Sequence, residues 1–473
     1  MFLRQIFDPH LSQYSYLIGC QRTGEAIIID PERDIDRYRT VAAAEGLRLS
    51  SVAETHNHAD FVSGARELAA DSSVHVYVSA DGGPDWQTEW ARGAANVTFL
   101  HDGDIFKVGN IQFQALHTPG HTPEHLVYLV TDIGGGADEP MALLTGDFIF
   151  VGDVGRPDLL EQAAGLAGTQ EVGARQLYTS LRGVADLPCH LQVLPAHGAG
   201  SACGKAIGAV PFSTFGYESK FNHAFRLALD GTEEAFVKFI LSGQPEPPAY
   251  FANMKRVNKT GPAVLGTLPQ PREMNPDEIF ARQGEPNFVV LDTCEDRAAF
   301  LARHLRRSLF MPAAKFSDFA GSYLLPENET VLVIDKLGDA DELVRQLIRI
   351  GFDHIAGVVL ASTIATAPES GVKGTRVVTF AEVPALLASG VRFEVLDVRR
   401  ATEFSEAHLR GAQNIAHTRL RLRLNELRSE VPLLVHCASG LRAASACAFL
   451  ERNGREVICV DDSFKNAPLG LLA

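Results

Sequence analysis

Two sets of residues in this chain are of types that do chemistry: a histidine–aspartate set in the first half and a cysteine loop near the end. In the first set, THNHADFVSG carries His56, His58 and Asp60, and HTPGHTPEH carries His117, His121 and His125. LLTGDFIF adds Asp147, and LPAHGAG adds His197. Each group follows an apolar run of strand type, so its residues belong to strand-end loops, where α/β folds hold their sites. Imidazole and carboxylate donors suit iron, zinc or manganese, and polar groups at such strand ends need partners that a metal supplies. Taken singly, His101 or His125 reads as a surface or packing residue; the ordered set H-x-H-x-D, G-H and G-D does not.

In the second set, apolar PLLV leads into His436, Cys437, Ala438, Ser439, Gly440, Leu441 and Arg442, with a helix starting near Ala443. A cysteine so placed lies over successive backbone N–H groups at a helix N-terminus, which favours thiolate and an anion held above the loop. Arg442 adds a fixed positive fork, and Gly440 permits tight curvature. Cys447 and Cys459 read as small buried hydrophobes.

The elements that must position these residues follow from the apolar pattern. Over residues 1–250, strand-like runs (YSYLIG, EAIIID, VHVYVS, IQFQAL, LVYLV, MALLTG) alternate with shorter helical stretches and Gly- or Asp-rich turns. This predicts an α/β domain with hairpins as well as crossovers. It closes with a helical pattern, NHAFRLALDGTEEAFVKFILSG, and a stiff QPEPP stretch. The remainder reads as one unit repeated. NFVVLDTCEDRAAFLARHLRRSLF near 287–310 and RFEVLDVRRATEFSEAHLRGAQNI near 392–415 occupy equivalent places, each followed by an apolar strand, a loop and an amphipathic helix. Domains are expected at 265–365 and 376–473, with Asp335 in the first where Cys437 stands in the second. Cys294 lies outside that loop position and reads as structural.

The 473 residues suit roughly three domains, and the 46% hydrophobic content is that of a folded chain. A formal net charge of -15 argues against nucleic acid or an acidic membrane as partner. The N-terminus reads as first strands and not as a signal peptide, and no apolar run approaches the roughly 20 residues that span a bilayer. Seven scattered cysteines do not make a disulfide framework, which suits a reducing cytoplasm.

Over residues 5–210 the first set resembles the metallo-β-lactamase superfamily. The resemblance implies an αββα sandwich in which His56, His58 and His121 bind one metal. Asp60, a histidine beside it and His197 would bind a second, with Asp147 shared. Phe61 stands where the second-metal histidine belongs. With TPGHT, TGD and the following GRPD, the pattern is more similar to the persulfide dioxygenase branch, which holds one Fe(II) per chain. Carried over, the ligands are His56, His121 and Asp147, while His58, Asp60 and His197 orient ligands or water around them. Arg156, in GDVGRPD, would anchor either structure or an anionic substrate group.

The cysteine loop, with C-x-x-G-x-R intact, resembles the rhodanese family over about 377–465, and LDVR and EFSEAHLRGAQNI match its other markers. The resemblance makes Cys437 and Arg442 catalytic, with Ala438, Ser439, Gly440 and Leu441 forming the cradle. Asp397 and Arg399 would tie the loop's base. The fold expected is therefore α/β throughout, a metallo-β-lactamase sandwich followed by two rhodanese-like domains, the first degenerate.

The implied chemistry is oxidation of a low-molecular-weight thiol persulfide by O2 to sulfite, coupled to sulfur transfer among persulfide, sulfite and thiosulfate, in a homo-oligomer. A zinc-dependent thioester hydrolase of the glyoxalase II kind and a non-enzymatic sulfur carrier are the alternatives. The thiol carrier, the direction of transfer, the oligomeric state and the role of the middle domain stay open at this level.

Overall fold

The computed structural model describes residues 1–159, 161, 168–390, 392–428 and 430–473. The chain divides into two compact units, residues 1–247 with 251–267, and residues 248–250 with 268–473.

In the first unit, β1 (Phe2–Asp8), β2 (Gln13–Cys20), β3 (Glu25–Ile29), β4 (Arg48–Ala53), β5 (His75–Ser79) and β6 (Val97–Leu100) form one sheet in that order. β7 (Ile105–Val108), β8 (Ile111–His117), β9 (Leu126–Thr131), β10 (Ala142–Gly146), β11 (Gln192–Pro195) and β12 (Ser213–Thr214) form the second, also in chain order. Hairpin pairings build the early part of each sheet, and parallel pairings carry β3 to β6 and β10 to β11.

The strand period of two explains the layering. Tyr16, Ile18, Ile27 and Ile29 face Phe113, Tyr128, Val130 and Leu144 of the other sheet. The alternate residues Leu17, Ile28 and Val52 pack outward on Tyr38, Ala42 and Leu68. Outside the second sheet, Leu129, Leu143 and Val193 pack on Leu177 and Leu181 of helix Thr169–Gly183 and on Phe225 and Phe236. Because both faces of the central strands are covered, YSYLIG and EAIII read as unbroken apolar runs. The architecture is thus the αββα sandwich expected. The closing helical pattern is two helices, His223–Asp230 and Glu233–Leu241, separated at Gly231, with Asn222 and Thr232 as N-caps. The helix Phe251–Thr260, beyond the QPEPP stretch, belongs to this first unit.

The second unit holds β13 (Arg272–Glu273), β14 (Phe288–Asp292), β15 (His304–Leu305), β16 (Leu309–Phe310), β17 (Glu329–Ile334), β18 (Ile355–Leu360) and β19 (Val372–Lys373). They are followed by β20 (Arg376–Val378), β21 (Glu394–Asp397), β22 (Gln413–Asn414), β23 (Leu433–His436) and β24 (Val457–Val460). Two five-stranded sheets result, ordered β13-β18-β17-β14-β16 and β20-β24-β23-β21-β22, with every neighbouring pair parallel. Setting aside the short β15–β19 ladder, the two sheets have the same strand order. Asp335 follows β17 as Cys437 follows β23. No helix among the described residues is long and apolar enough to cross a membrane.

Candidate functional site

The histidines and aspartates of the first unit meet at one end of the sandwich because each follows the C-terminal end of a strand: His56 after β4, His121 after β8, Asp147 after β10 and His197 after β11. His56, His121 and Asp147 offer one ligand atom each within 4.8 Å of one another, and all three are buried. Asp147 Oδ2 lies 3.3 Å from His121 Nε2 and 4.0 Å from His56 Nε2, and Oδ1 lies 3.3 Å from His197 Nε2. Both carboxylate oxygens are fully buried with no hydrogen-bond partner among the described residues. A buried carboxylate in that state needs a cation, and a metal or a protonated His197 could meet the need.

The surroundings aim the ligand atoms. The Thr55 hydroxyl donates to Asp30 Oδ2 at 2.8 Å, so it accepts from His56 Nδ1 at 2.9 Å and leaves Nε2 bare. His121 Nδ1 donates to the Arg156 carbonyl at 2.9 Å, which likewise leaves Nε2 bare. Burial, joined by the neighbouring histidines, holds His56 well below its ordinary pKa. Burial also lowers His121, against the pull of Asp147. Neutral imidazoles with inward Nε2 atoms are what a metal requires. The Asp147 amide donates to His125 Nε2 at 3.0 Å, and His125 Nδ1 then donates to Thr118. His125 is therefore a buried positioning group. Gly146, between β10 and Asp147, has φ +50°, and a Cβ there would meet Thr55 Oγ1 at 2.6 Å and His125 Nε2 at 2.7 Å. Only glycine admits that approach.

The residues assigned to orienting roles form two further groups. His58 Nε2 lies 3.1 Å from both Asp30 and Glu54. Burial opposes a charge on it, but the two carboxylates prevail and raise its pKa well above the usual value. His197 Nε2 lies 3.2 Å from Asp60, and Asp147, Cys203 and Asp60 together overcome burial to raise it as well. Cys203 joins Asp60 and His197 in a third potential donor set, its thiol pushed up to about 12, chiefly by burial. Phe61 is fully buried, its ring 4.3 Å from that of His58. The position that the resemblance assigns to a further histidine thus holds an apolar ring packed on His58.

Arg156, expected to anchor either structure or a substrate anion, is bonded within the fold. It is buried, with Nε and Nη2 bonded to Asp158 at 2.8 and 2.6 Å and Nη1 bonded to the carbonyls of Ala202 and Pro245. Four of its five N–H groups are spent on these partners inside the fold, and its own carbonyl accepts from His121 Nδ1.

Sequence reasoning did not reach Asp30, Glu54, Thr55, Cys203 or the helix Phe251–Thr260. Asn258 of that helix donates to the carbonyls of His58 and Phe61 and accepts from the Ser63 amide, which pins the histidine loop. A cleft of about 600 Å³ lies beside Gly120, next to His121 in the chain, lined also by Trp86, Pro123, Val172, Lys255 and Arg256. Lys255 sits over the Trp86 ring at 3.0 Å, and burial lowers its ammonium to about 8.

In the second unit, Cys437 is 1% exposed and its Sγ accepts the Gly440 amide at 3.1 Å. Gly440, at φ +90°, precedes helix Leu441–Arg452. Arg442 grips Glu403 with two bonds of 2.7 and 2.8 Å, a partner the motif alone did not reveal. Ala438, Ser439 and Leu441 complete the loop, Ser439 on the exposed side. Arg399 is tied to Asp397 and the Ala407 carbonyl and lies against Phe464, as expected of a loop base. Asp335, at the equivalent place in the other sheet, lies 3.3 Å from Cys294 Sγ.

Comparisons with known proteins agree with this geometry. The model described as the metallo-beta-lactamase superfamily matches residues 9–197, and the one described as a rhodanese-like domain matches residues 379–467. A solved metallo-beta-lactamase from Staphylococcus aureus subsp. aureus COL is 40% identical with a TM-score of 0.67, covering 76% of this chain and 98% of that one. A Burkholderia pseudomallei protein named as a probable metallo-hydrolase is 30% identical over 223 residues, 42% of this chain and 72% of its own. Mitochondrial persulfide dioxygenase ETHE1 of Bos taurus is 29% identical over 202 residues, 42% of this chain and 68% of its own. The chain belongs to the metallo-β-lactamase superfamily. It carries a rhodanese-like domain fused behind that fold, and it is related to the ETHE1-type persulfide dioxygenases.

Proposed function

We propose that the first unit oxidises a low-molecular-weight thiol persulfide at a single Fe(II) held by His56, His121 and Asp147, and that Cys437 transfers sulfane sulfur. The observation that carries this reading is Asp147, a fully buried carboxylate with two unbonded oxygens between inward-facing imidazoles. Two histidines and one carboxylate are the donor set of non-haem Fe(II) oxygenases. Phe61 supports a single metal over the pair a thioester hydrolase of this fold would use. Bound there, ferrous iron supplies electrons to O2 and open positions for substrate, which redox-silent zinc does not.

The chain's own residues do the rest. Thr55 and the Arg156 carbonyl fix the imidazoles, His125 fixes the Asp147 backbone, and Asn258 fixes the loop of His56 and His58. The cleft beside Gly120 admits the thiol. The overall change is RSSH + O2 + H2O → RSH + SO3²⁻ + 2H⁺. At the second centre, Cys437 thiolate takes the outer sulfur of thiosulfate and releases sulfite, or the reverse. Gly440 N–H and the loop amides hold the resulting anion. The identical strand orders support a duplicated rhodanese-like pair, 265–365 and 376–473, in which Asp335 disables sulfur transfer by the first. We place the reaction in the cytoplasm and the chain in a homo-oligomer.

The test is oxygen uptake by iron-loaded protein given glutathione persulfide, with sulfite and thiosulfate quantified. Uptake should vanish in His121→Ala and survive in Cys437→Ser, where only the product ratio changes. No uptake despite full iron loading would overturn the reading.

A further inference from the structure

The cleft beside Gly120 belongs wholly to the first unit, and two helix faces wall it. Ala252, Lys255, Arg256 and Lys259 recur at the spacing of one face of helix Phe251–Thr260. Thr169, Val172, Gly173 and Gln176 recur in the same way on helix Thr169–Gly183, and none of them is charged. That helix approaches closely because a Cβ on Gly173 would stand 2.8 Å from the Gly120 carbonyl oxygen. One wall is thus cationic and the other neutral. The cationic helix also holds the histidine loop: besides the bonds from Asn258, the Lys255 carbonyl accepts from Asn57 Nδ2 at 3.2 Å. A molecule in the cleft would lie against the loop of His121 and against the helix that fixes the loop of His56.

The charges on that wall are left open to a ligand. Arg256 is exposed and bonds the neutral side chain of Asn253 at 2.6 Å. Of the three cations only Lys259 is in an ion pair among the described residues, with Glu89 at 3.2 Å. Lys255 is packed over the Trp86 ring, and burial lowers its ammonium to about 8, with Glu124 and Asp85 pulling the other way and Lys259 adding to the fall. Lys255 and Lys259, four positions apart, repel each other in the empty cleft, and an anion between them removes that cost. Against these three cations the lining sets a single acid, Asp85. A carrier such as glutathione brings an ammonium with its two carboxylates and needs an acid to receive it. A phosphate-bearing carrier needs cations alone, and a guanidinium fork matches phosphate oxygens in pairs.

We propose that the cleft selects a thiol carrier that bears phosphate groups and no ammonium, held at its phosphates by Lys255, Arg256 and Lys259, with its sulfur arm running past Gly120. This rests on the reading of the first unit as the oxidant of a carrier-bound persulfide. Glutathione persulfide is then the poorer substrate, turned over at higher concentration.

The test is calorimetric titration of the full, iron-loaded chain, without oxygen, with three unreactive thioethers. These are S-methyl coenzyme A, S-methylpantetheine, which has the same sulfur arm and no phosphate, and S-methylglutathione. S-methyl coenzyme A is expected to bind at least about tenfold more tightly than either of the others, the worth of a charge-assisted hydrogen bond. Arg256→Gln and Lys259→Gln should each lose most of that advantage; Arg256 is exposed, so its variant should fold. Equal affinity for the three compounds, or an advantage unchanged in both variants, would overturn the proposal. So would inorganic phosphate binding as tightly as S-methyl coenzyme A, which would mark a site for a free anion. No oxygen uptake with coenzyme A persulfide, with the binding preference intact, would instead overturn the oxidation reading and leave the cleft's selectivity standing.

Discussion

Thr55→Val isolates how the metal site is aimed. The Thr55 hydroxyl is one atom with two duties, donating to Asp30 Oδ2 at 2.8 Å and accepting from His56 Nδ1 at 2.9 Å. Valine has the same shape and does neither. Asp30 keeps the Thr55 amide at 2.7 Å and His58 at 3.1 Å, so the carboxylate remains held and the fold should survive. His56 loses the bond that fixes its ring and tautomer. Loss of such an outer partner weakens metal binding about 10–100-fold, or about 1.4–2.7 kcal/mol. The assay is anaerobic Fe(II) competition against a chromophoric chelator, which reads affinity without turnover. Thr98→Val is the control, because Thr98 bonds His75 at 2.8 Å, and His75 is not a ligand. Equal affinities for wild type, Thr55→Val and Thr98→Val would refute the reasoning.

Three further outcomes follow from the same geometry. Arg156→Ala strands Asp158 and two carbonyls in the interior and should destabilise the first unit by about 3–5 kcal/mol in denaturant titrations; a change in substrate affinity with stability intact would point to an anion-binding role instead. Phe61→His restores a donor beside Asp60 and His197, so zinc per chain measured by elemental analysis should rise; an unchanged ratio would show that Phe61 does not control metal number. His436 is held down to about 4, chiefly by burial, whereas an unfolded histidine titrates near 6.5. The unfolded chain therefore binds the extra proton first, and stability present above about 6.5 is lost as pH falls toward 4, by up to about 3 kcal/mol. His436→Leu should flatten that slope in unfolding measurements, and an unaltered slope would assign the acid sensitivity elsewhere.

What the sequence revealed and what it hid divide along physical lines. YSYLIG, EAIIID and MALLTG were legible as strands because two-sided burial leaves unbroken apolar runs. The placement of His56, His121 and Asp147 was legible because strand ends converge in this architecture. The expected repeat rested on repeated order in the sequence, and the two sheets of the second unit share one strand order. The groups that make these residues act were not legible. Asn258 bonds the carbonyl of His58 across 200 positions of sequence. Glu403 meets Arg442 across 39, and Tyr323, on the helix Phe316–Tyr323, stacks on Phe449 of helix Leu441–Arg452. No local spacing encodes such pairings; they exist only once the elements pack. Arg156 shows the same limit, since its motif allowed two roles and the partners that take four of its five N–H groups come from distant loops.

The most direct measurement is a parallel assay of protein reconstituted anaerobically with Fe(II) or with Zn(II), each given a thiol persulfide under O2 and, separately, a glutathione thioester. The account predicts oxygen uptake and sulfite from the iron form alone, with thioester hydrolysis from neither. Thioester hydrolysis by the zinc form, with no oxygen uptake by the iron form, would contradict it.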